Sequence, residues 1–545
     1  MEAVMPHVSH IDSDVSKIEK QSEIVATPIA SINPLRLCFR VFSLFFLFTP
    51  VLFTLPFWLL LGNGRLLVEA TNSLTADTET SKILEHDWFM HLTTHCFERA
   101  GPVFIKLCQW ASMRQDLFHP AVCDAFARLQ SHVKPHAYSW TLAQVQELVD
   151  LHFGSVSKRK LIVSDVFERF DAEPVGVGAV AQVHLAVLKS QFVSLHGDAL
   201  AGLEDKRVAV KVIHPRIEHI IEMDLTLLQM GGRIFSKLIP GSKYLAIEEE
   251  LETFAGMMRR QLDLTIEFRN LAQFKRNFEG EGRQKNERPL PIAFPTPLIA
   301  TRNVLVEEFC DGVGFRKIVE IGHCAFDEEL VQIGLPAFVR MIMKHNFVHA
   351  DLHAGNILLQ FKKETHQKSG KSLEPVDASL YQTLSNASIA DRLKLLQKLK
   401  EAGYTPHLVF LDVGLTSALS ISNLSNIQSV VNAALDGKGE DMADLFMTRC
   451  RDPSAVIDPE GARREMKELI QSLGLEEGKS VAGVLPLSVI KSRQVLMKAA
   501  QFFRQHRIGL EGEWIGLFVA AVLVEGIARK LGGDVDVIEV LMEEM

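Results

Sequence analysis

The sequence predicts an α+β protein of two lobes, one rich in strands and one helical, preceded by a helical extension and a transmembrane helix. Three observations lead to this prediction. Apolar residues recur at helical spacing through residues 80–160, and the spacing becomes that of strands from residue 160. Residues 41–61 carry no charge and are about long enough to cross a bilayer. Beyond residue 420 the apolar pattern is helical again.

Composition limits the classes of function. The 545 residues exceed the usual size of one domain, and 47% are hydrophobic, enough for a substantial core. The net charge of −9 argues against a nucleic-acid-binding protein. Seven cysteines without Cys-x-x-Cys spacing argue against a disulfide framework or a zinc site.

We divide the chain into a leader, an anchor, an extension and two lobes. Their ranges are 1–40 for the polar leader, 41–61 for the transmembrane helix, 80–160 for the extension, 161–310 for the first lobe with inserted helices, and 311–545 for the second lobe with an insertion at 361–407. The acidic leader is a poor match to a mitochondrial transit peptide, although an unusual or processed leader stays open. A late signal-anchor and a buried hairpin are the alternatives for 41–61.

The segment from His345 to Leu359 has the form of a phosphoryl-transfer loop, with a polar turn between apolar stretches. Asp351 is placed to accept or orient the proton of an attacking hydroxyl, and Asn356 follows five residues later as a metal ligand. Asp412, in Asp-x-Gly after an apolar strand, is the expected second metal ligand. A satisfied polar turn between two strands is the alternative interpretation.

The first lobe supplies a small-residue hairpin and a lysine. Glycines and alanines let backbone N–H groups approach phosphate, and the hairpin turn consists of Gly176, Gly178, Ala179, Val180 and Ala181. Lys211 follows in a Val-Ala-Val-Lys strand, and Glu267 is its predicted ion-pair partner. An ordinary exposed helix carboxylate is the alternative for Glu267.

The order of hairpin, lysine strand and polar loop predicts a protein-kinase-like bilobal fold. Val304–Phe309 fits the hinge strand between the lobes, and Glu308 in it is a candidate nucleotide contact. In the extension, Lys106 and Gln109 are three residues apart on one helix face, in apolar surroundings. A snorkelling lysine and a solvated glutamine are the alternative for this pair.

Together these motifs resemble those of the UbiB-like atypical kinases, also called aarF-domain-containing kinases. The resemblance covers roughly residues 80–540. It implies a kinase-like fold whose extension packs over the nucleotide pocket, with ATP and Mg²⁺ as cofactors and ATPase-like activity. It also implies the inner mitochondrial membrane as a single-pass location, and a link to coenzyme Q biosynthesis and lipid metabolism. The implied partners are membrane lipids, quinone precursors and coenzyme Q biosynthetic proteins, without nucleic acid.

The chain departs from the family pattern at three places. Cys108 stands where the family's Lys-x-Gly-Gln has glycine, and Gln261 stands where the family's Glu-x-Asp has glutamate. The family's alanine-rich loop is closer here to an ordinary glycine loop, at 176–181. Because of these differences, the nucleotide preference of relatives is not carried over to this chain.

The sequence thus favours an ATP-dependent enzyme, an atypical kinase or ATPase. Asp351, Lys211 and Glu267 are its catalytic residues, and Asn356 and Asp412 are its metal ligands. The first alternative is a nucleotide-gated membrane adaptor, a pseudokinase of a lipid or quinone biosynthetic complex. The second is a small-molecule phosphotransferase, because the His-x-Asp-x-His-x-x-Asn form also suits that class.

Overall fold

The computed structural model describes residues 33–61, 87–113, 120–127, 134–153, 160–190, 207–238, 247–279, 288–367, 370–418, 421–450, 452–472, 501–503 and 505–508. The leader before residue 33 lies outside these ranges, as does the chain after residue 508. The described residues form two compact units: those up to residue 268 together with those of 297–308, and those of 269–296 together with those from residue 309 onward.

The described helices and strands are numbered here in chain order. The helices are α1 Pro34–Leu61, α2 Trp88–Ala100, α3 Pro102–Met113, α4 Pro120–Ala127, α5 Tyr138–Phe153, α6 Val163–Val166, α7 Ile217–Leu238, α8 Ile247–Arg260, α9 Leu264–Phe278, α10 Phe315–Val319, α11 Asp327–Met343, α12 Ala378–Asn386, α13 Ile389–Glu401, α14 Ile421–Leu435, α15 Gly439–Thr448 and α16 Pro459–Ser472. The strands are β1 Phe167–Phe170, β2 Gly176–Val177, β3 Ala181–Leu188, β4 Arg207–Ile213, β5 Ile292–Ala293, β6 Pro297–Ala300, β7 Val304–Glu308, β8 Val313–Gly314, β9 Val348–His349, β10 Ile357–Gln367, β11 Gly370–Pro375, β12 Thr405–Phe410 and β13 Thr416–Ser417.

The first unit contains a six-stranded antiparallel sheet in the order β1-β3-β4-β7-β6, with β2 paired to β3. Strand β4 shows which side chains of the sheet face the core. Val208, Val210 and Val212 alternate along it and are fully buried, so they share one face of the strand, and Lys211 lies on the other face. The alternation therefore turns the lysine away from the apolar core of this sheet.

Helix α5 of the extension completes that core. Its Val145, Leu148 and Val149 are almost fully buried and belong to one cluster with the three valines of β4. Two further bonds tie the helix to the sheet: Trp140 Nε1 donates to Ile213 O at 3.1 Å, and Asn303 Nδ2 donates to Gln144 Oε1 at 2.8 Å. The extension is therefore part of the first unit's core.

Helix α1 contains the predicted membrane segment. Residues Pro34–Leu60 are long and apolar enough to cross a membrane, and only 11% of the most apolar stretch is buried. One face packs on the extension: Trp58 stacks on Phe89 with ring centroids 4.5 Å apart, and Cys96 Sγ lies 3.3 Å from Leu47 O. Near its start, Arg40 pairs with the fully buried Asp224 of α7 at 2.7 Å.

The second unit contains two sheets. The larger has the order β11-β10-β12-β5, with β8 paired to β10, and the smaller consists of β13 and β9. Residues 269–296 belong to this unit, whereas the sequence placed them in the first lobe at 161–310. Stacked aromatic rings give the physical reason. Phe294 stacks on Phe274 at 4.8 Å and on Phe410 of β12 at 5.5 Å.

The insertion at 361–407 is folded. It lengthens β10 into a hairpin with β11 and adds α12 and α13 before β12 returns beside β10. The sequence predicts one of these helices, at 390–402, and it is present as α13. After residue 420 the described residues form helices α14, α15 and α16, as predicted.

Candidate active site

Lys211 and Glu267 form a buried ion pair in the first unit. Lys211 Nζ lies 2.8 Å from both Glu267 Oε1 and Oε2. The lysine side chain is 14% exposed and the glutamate side chain 4%. Glu267 lies in the first turn of α9, where a carboxylate is favourable. The pair sits on the polar face of β4 and holds the lysine amine in a fixed position, as a phosphate-binding lysine requires.

The small-residue turn lies between β2 and β3. Gly178 N–H donates to Ala181 O at 2.9 Å, which closes the turn. A side chain added at Gly178 would come within 3.4 Å of that same oxygen. The N–H groups of Ala179 and Val180 have no hydrogen-bond acceptor within the described part of the chain. Two backbone donors are therefore available to bind an anion.

The remaining residues predicted to contact the nucleotide are Glu308, Lys106 and Gln109. Glu308 ends β7, opposite Val208 of β4, and it is the last residue of the first unit before Phe309 begins the second. Lys106 and Gln109 are half-buried on α3, which packs beside α8 through Trp110 and Phe254, 6.1 Å apart. The roles of all three toward a nucleotide stay predictions.

Asp351 lies in a turn after β9, in the second unit, and is half-buried. Its N–H donates to His349 Nδ1 at 3.2 Å, and His349 Nε2 donates to Leu411 O at 3.2 Å. Complete burial lowers the pKa of His349, so the ring stays neutral with the proton on Nε2. His349 is a positioning residue that was not among the predicted site residues. Its place two residues before Asp351 is the signal that identifies it.

Asn356 follows in a single 3₁₀ turn, Ala354–Asn356. Its Nδ2 donates to Asp351 O at 3.1 Å, which leaves the amide oxygen as the group that can bind a cation. The carbonyl of Asn356 also accepts the N–H of Leu411 at 2.8 Å. The β10–β12 pairing, in register from Ile357 and Phe410, therefore brings Asn356 next to the residue before Asp412 despite the insertion between them.

Asp412 is exposed and has φ of 48°, in the left-handed region. Only glycine, asparagine and aspartate adopt this conformation at low cost. The following residue is held in place, because Asn270 Nδ2 donates to Val413 O at 2.8 Å and Val413 is fully buried. The left-handed backbone and the fixed neighbour therefore set the position of Asp412, which is exposed.

These groups suit Mg²⁺. Magnesium prefers oxygen ligands and keeps several waters, so one or two protein groups with substrate phosphates suffice. Asn356, just before β10, offers an amide oxygen, and Asp412, just after β12, offers a carboxylate, both at the Ile357–Phe410 end of this strand pair. Within the described residues there is no cluster of three or more His, Cys, Asp or Glu side chains able to hold a metal by itself. The donor set therefore fits a magnesium ion that a nucleotide helps to hold.

Two of the departures from the family pattern are also visible. Cys108 is 1% exposed within α3, and burial raises the pKa of its thiol, so it is a packed apolar side chain. Gln261 follows α8, and its Oε1 is buried without a hydrogen-bond partner in the described part of the chain. A glutamate there would bury a charge in place of a neutral oxygen, a costlier arrangement.

The lysine–glutamate pair, the small-residue turn and the Asp351, Asn356 and Asp412 set define a kinase-like protein. The model of the ABC1 atypical kinase-like domain matches residues 140–445, more than half of the chain. The chain therefore belongs to the ABC1 atypical kinase family, which confirms the kinase-like fold and the family predicted from the sequence.

Relatives in the family include mitochondrial proteins. The chain is 30% identical over 516 residues to a mitochondrial ABC1 family protein of Schizosaccharomyces pombe, covering 92% of this chain and 69% of that one. A mitochondrial ABC1 family protein of Saccharomyces cerevisiae is 29% identical over 465 residues, 82% of this chain and 66% of its own length. A probable protein kinase UbiB of Haemophilus ducreyi is 30% identical over 263 residues, 48% of this chain and 44% of its own. The chain thus spans about two thirds of the two mitochondrial relatives.

Proposed function

We propose that the chain binds MgATP and transfers its terminal phosphoryl group, as an atypical kinase or ATPase. The observation that carries this proposal is the complete Lys211–Glu267 pair, with both carboxylate oxygens 2.8 Å from the amine. Burying two charged side chains costs desolvation energy. Binding of a charged ligand by the lysine would explain why the pair is kept despite that cost. The open backbone donors at Ala179 and Val180 add sites for phosphate oxygens.

Each residue has a defined part in this reaction. Lys211 neutralises the phosphates and Glu267 fixes the lysine, while Asn356 and Asp412 hold magnesium, which neutralises charge on the transferred group. Asp351 orients the attacking hydroxyl, from an acceptor or from water, and takes its proton. The His349 bond to the Asp351 backbone keeps this turn in place.

We propose further that the protein works at a mitochondrial membrane, in support of coenzyme Q biosynthesis and lipid metabolism. Two mitochondrial relatives and the candidate span at Pro34–Leu60 support the location. The metabolic role rests on the family resemblance. Quinone precursors, membrane lipids and coenzyme Q biosynthetic proteins are accordingly the partners to test first, with the inner membrane and a single span as the proposed arrangement.

The test is nucleotide turnover and nucleotide-induced thermal shift of the full chain, with Mg²⁺, in the presence and absence of cardiolipin-type liposomes. Asp351→Asn and Asp412→Asn are the comparison variants. Turnover that needs Mg²⁺ and is lost in both variants supports the enzyme. Binding without turnover under every condition favours the nucleotide-gated adaptor, and turnover unchanged in Asp412→Asn contradicts the assignment of that residue.

A further inference from the structure

Two histidines outside the site already described form a chain of hydrogen bonds that ends at the small-residue turn. His214 directly follows β4 and is 7% exposed. Its backbone N–H donates to Val180 O at 2.9 Å, and its Nε2 lies 3.1 Å from Gly178 O. Both acceptors are carbonyls of the turn predicted to bind phosphate. The strand that carries Lys211 therefore also holds the turn, through the residue three positions after the lysine.

The second histidine comes from the extension. His136 precedes α5, and its Nδ1 lies 2.7 Å from His214 Nδ1. Its Nε2 lies 2.9 Å from Thr141 Oγ1. The backbone of His136 is fixed as well, since its N–H donates to Gln182 Oε1 at 2.9 Å. The extension thus reaches the turn through a chain of three side chains.

The acceptors fix the proton positions along this chain. Gly178 O can only accept, so His214 carries its proton on Nε2 and accepts at Nδ1. His136 must then donate from Nδ1 and accept at Nε2 from the Thr141 hydroxyl. Burial lowers the pKa of His214, and burial together with the neighbouring His214 and His184 lowers the pKa of His136 to about 4. Both rings are neutral near pH 7, and only one tautomer of each satisfies every bond.

The bond to Gly178 sets the direction of a phosphate donor. The Gly178 C=O and the Ala179 N–H belong to one planar trans peptide and point in opposite directions. Because His214 Nε2 binds that carbonyl, the Ala179 N–H points away from His214. This N–H is one of the two donors of the turn that have no acceptor within the described residues.

We propose that His214 is a positioning residue for the nucleotide phosphates: it locks the Gly178–Ala179 peptide with the Ala179 N–H directed at the phosphate site, and His136 of the extension holds it in the required tautomer. The inference rests on the proposed ATP binding and adds a residue pair that the kinase-like motifs do not contain. It also gives the extension a direct role at the nucleotide site, through its contact with His214.

The discriminating variants are His214→Gln and His214→Asn. A glutamine amide can occupy the position of Nε2 and donate to Gly178 O, whereas an asparagine amide reaches only the position of Nδ1. Both variants are polar and smaller than histidine, so neither overpacks the site. We expect the dissociation constant or KM of MgATP to rise about tenfold in His214→Asn and to stay within about threefold in His214→Gln, with kcat changed little.

Adenosine separates phosphate positioning from general damage, because it lacks phosphates. Its affinity should be the same in all variants. Trp140→Phe is the matched control, since it removes a 3.1 Å bond to the adjacent Ile213 carbonyl without touching the turn. It should leave MgATP affinity unchanged.

The outcomes distinguish the two proposals. If the wild-type chain binds no MgATP, the proposed function fails and this inference with it. If the wild-type chain binds MgATP but His214→Asn binds it equally well, the inference alone is wrong. Parallel loss of adenosine and MgATP affinity in His214→Asn, or equal loss in Gln and Asn variants, would mean that His214 only supports local folding.

Discussion

The Lys211–Glu267 pair gives the sharpest test of the site. Glu267→Gln keeps the shape of the side chain but removes the negative charge that lies 2.8 Å from the buried Lys211 amine. The two side chains are 14% and 4% exposed, so solvent screens the loss poorly. Breaking a buried pair by removing one partner costs about 3–5 kcal/mol. We take about 3 kcal/mol, since the glutamine oxygen can still accept one bond, which corresponds to a fall in Tm of about 6–12 °C.

The assay is thermal unfolding of the full chain in detergent, with Lys211→Met and the double variant completing a cycle. The double variant should recover part of the loss, because both charges of the pair are then removed together, and the coupling energy should exceed about 1 kcal/mol. Glu218→Gln is the control. Glu218 pairs with Arg302 at 2.7 Å in the same unit, but the side chains are 51% and 38% exposed, so we expect a loss below about 1 kcal/mol. Equal losses in Glu267→Gln and Glu218→Gln would refute the reasoning.

Three further predictions concern the metal ligand, the histidine chain and helix α1. Asp412→Asn should abolish Mg²⁺-dependent turnover with an unchanged Tm, whereas Asp412→Ala should also lose about 1 kcal/mol, because alanine tolerates φ of 48° poorly; equal Tm values for the two variants would contradict this. The pKa of His136 is about 4 in the folded chain and has its ordinary value of 6.5 in the unfolded chain, so the unfolded chain binds the proton more readily. The free energy of unfolding should therefore fall as the pH is lowered from 6.5 toward 4, and chemical denaturation of His136→Asn should show a weaker fall. Arg40→Met leaves Asp224 buried without its partner and should cost about 3 kcal/mol by thermal unfolding. The matched variant is Arg36→Met, one turn earlier on α1 and exposed, and an equal cost there would contradict the prediction.

Motifs with a fixed chemical role were the predictable part of the molecule. The alternation in Val-Ala-Val-Lys places Lys211 opposite the valine core, and a helix after it supplies Glu267. The spacing in the loop from Asp351 to Asn356 likewise corresponds to a turn in which the Asn356 side chain donates to the backbone carbonyl of Asp351. These patterns are local, so the sequence displays them directly.

Contacts between distant residues were not predictable from such patterns. His136 and His214 are 78 positions apart, and neither lies in a recognisable motif. The assignment of residues 269–296 to the second unit depends on Phe294 stacking against Phe410, 116 positions later in the chain. Strand β10 continues through polar residues after Phe361, where no apolar alternation marks a strand. In each case tertiary packing decides the outcome.

Helix α5 has a consequence for how this protein is dissected. Its Val145, Leu148 and Val149 cover the valine face of β4, so a fragment that starts after residue 160 would expose that face to water. Exposed apolar strands associate with one another, and such a fragment would aggregate regardless of what the extension does to catalysis. Loss of activity in such a truncated protein would therefore reflect loss of the hydrophobic core of the first unit. Point substitutions on the intact chain, at Lys106 or Gln109, are the experiments that can reveal regulation by the extension.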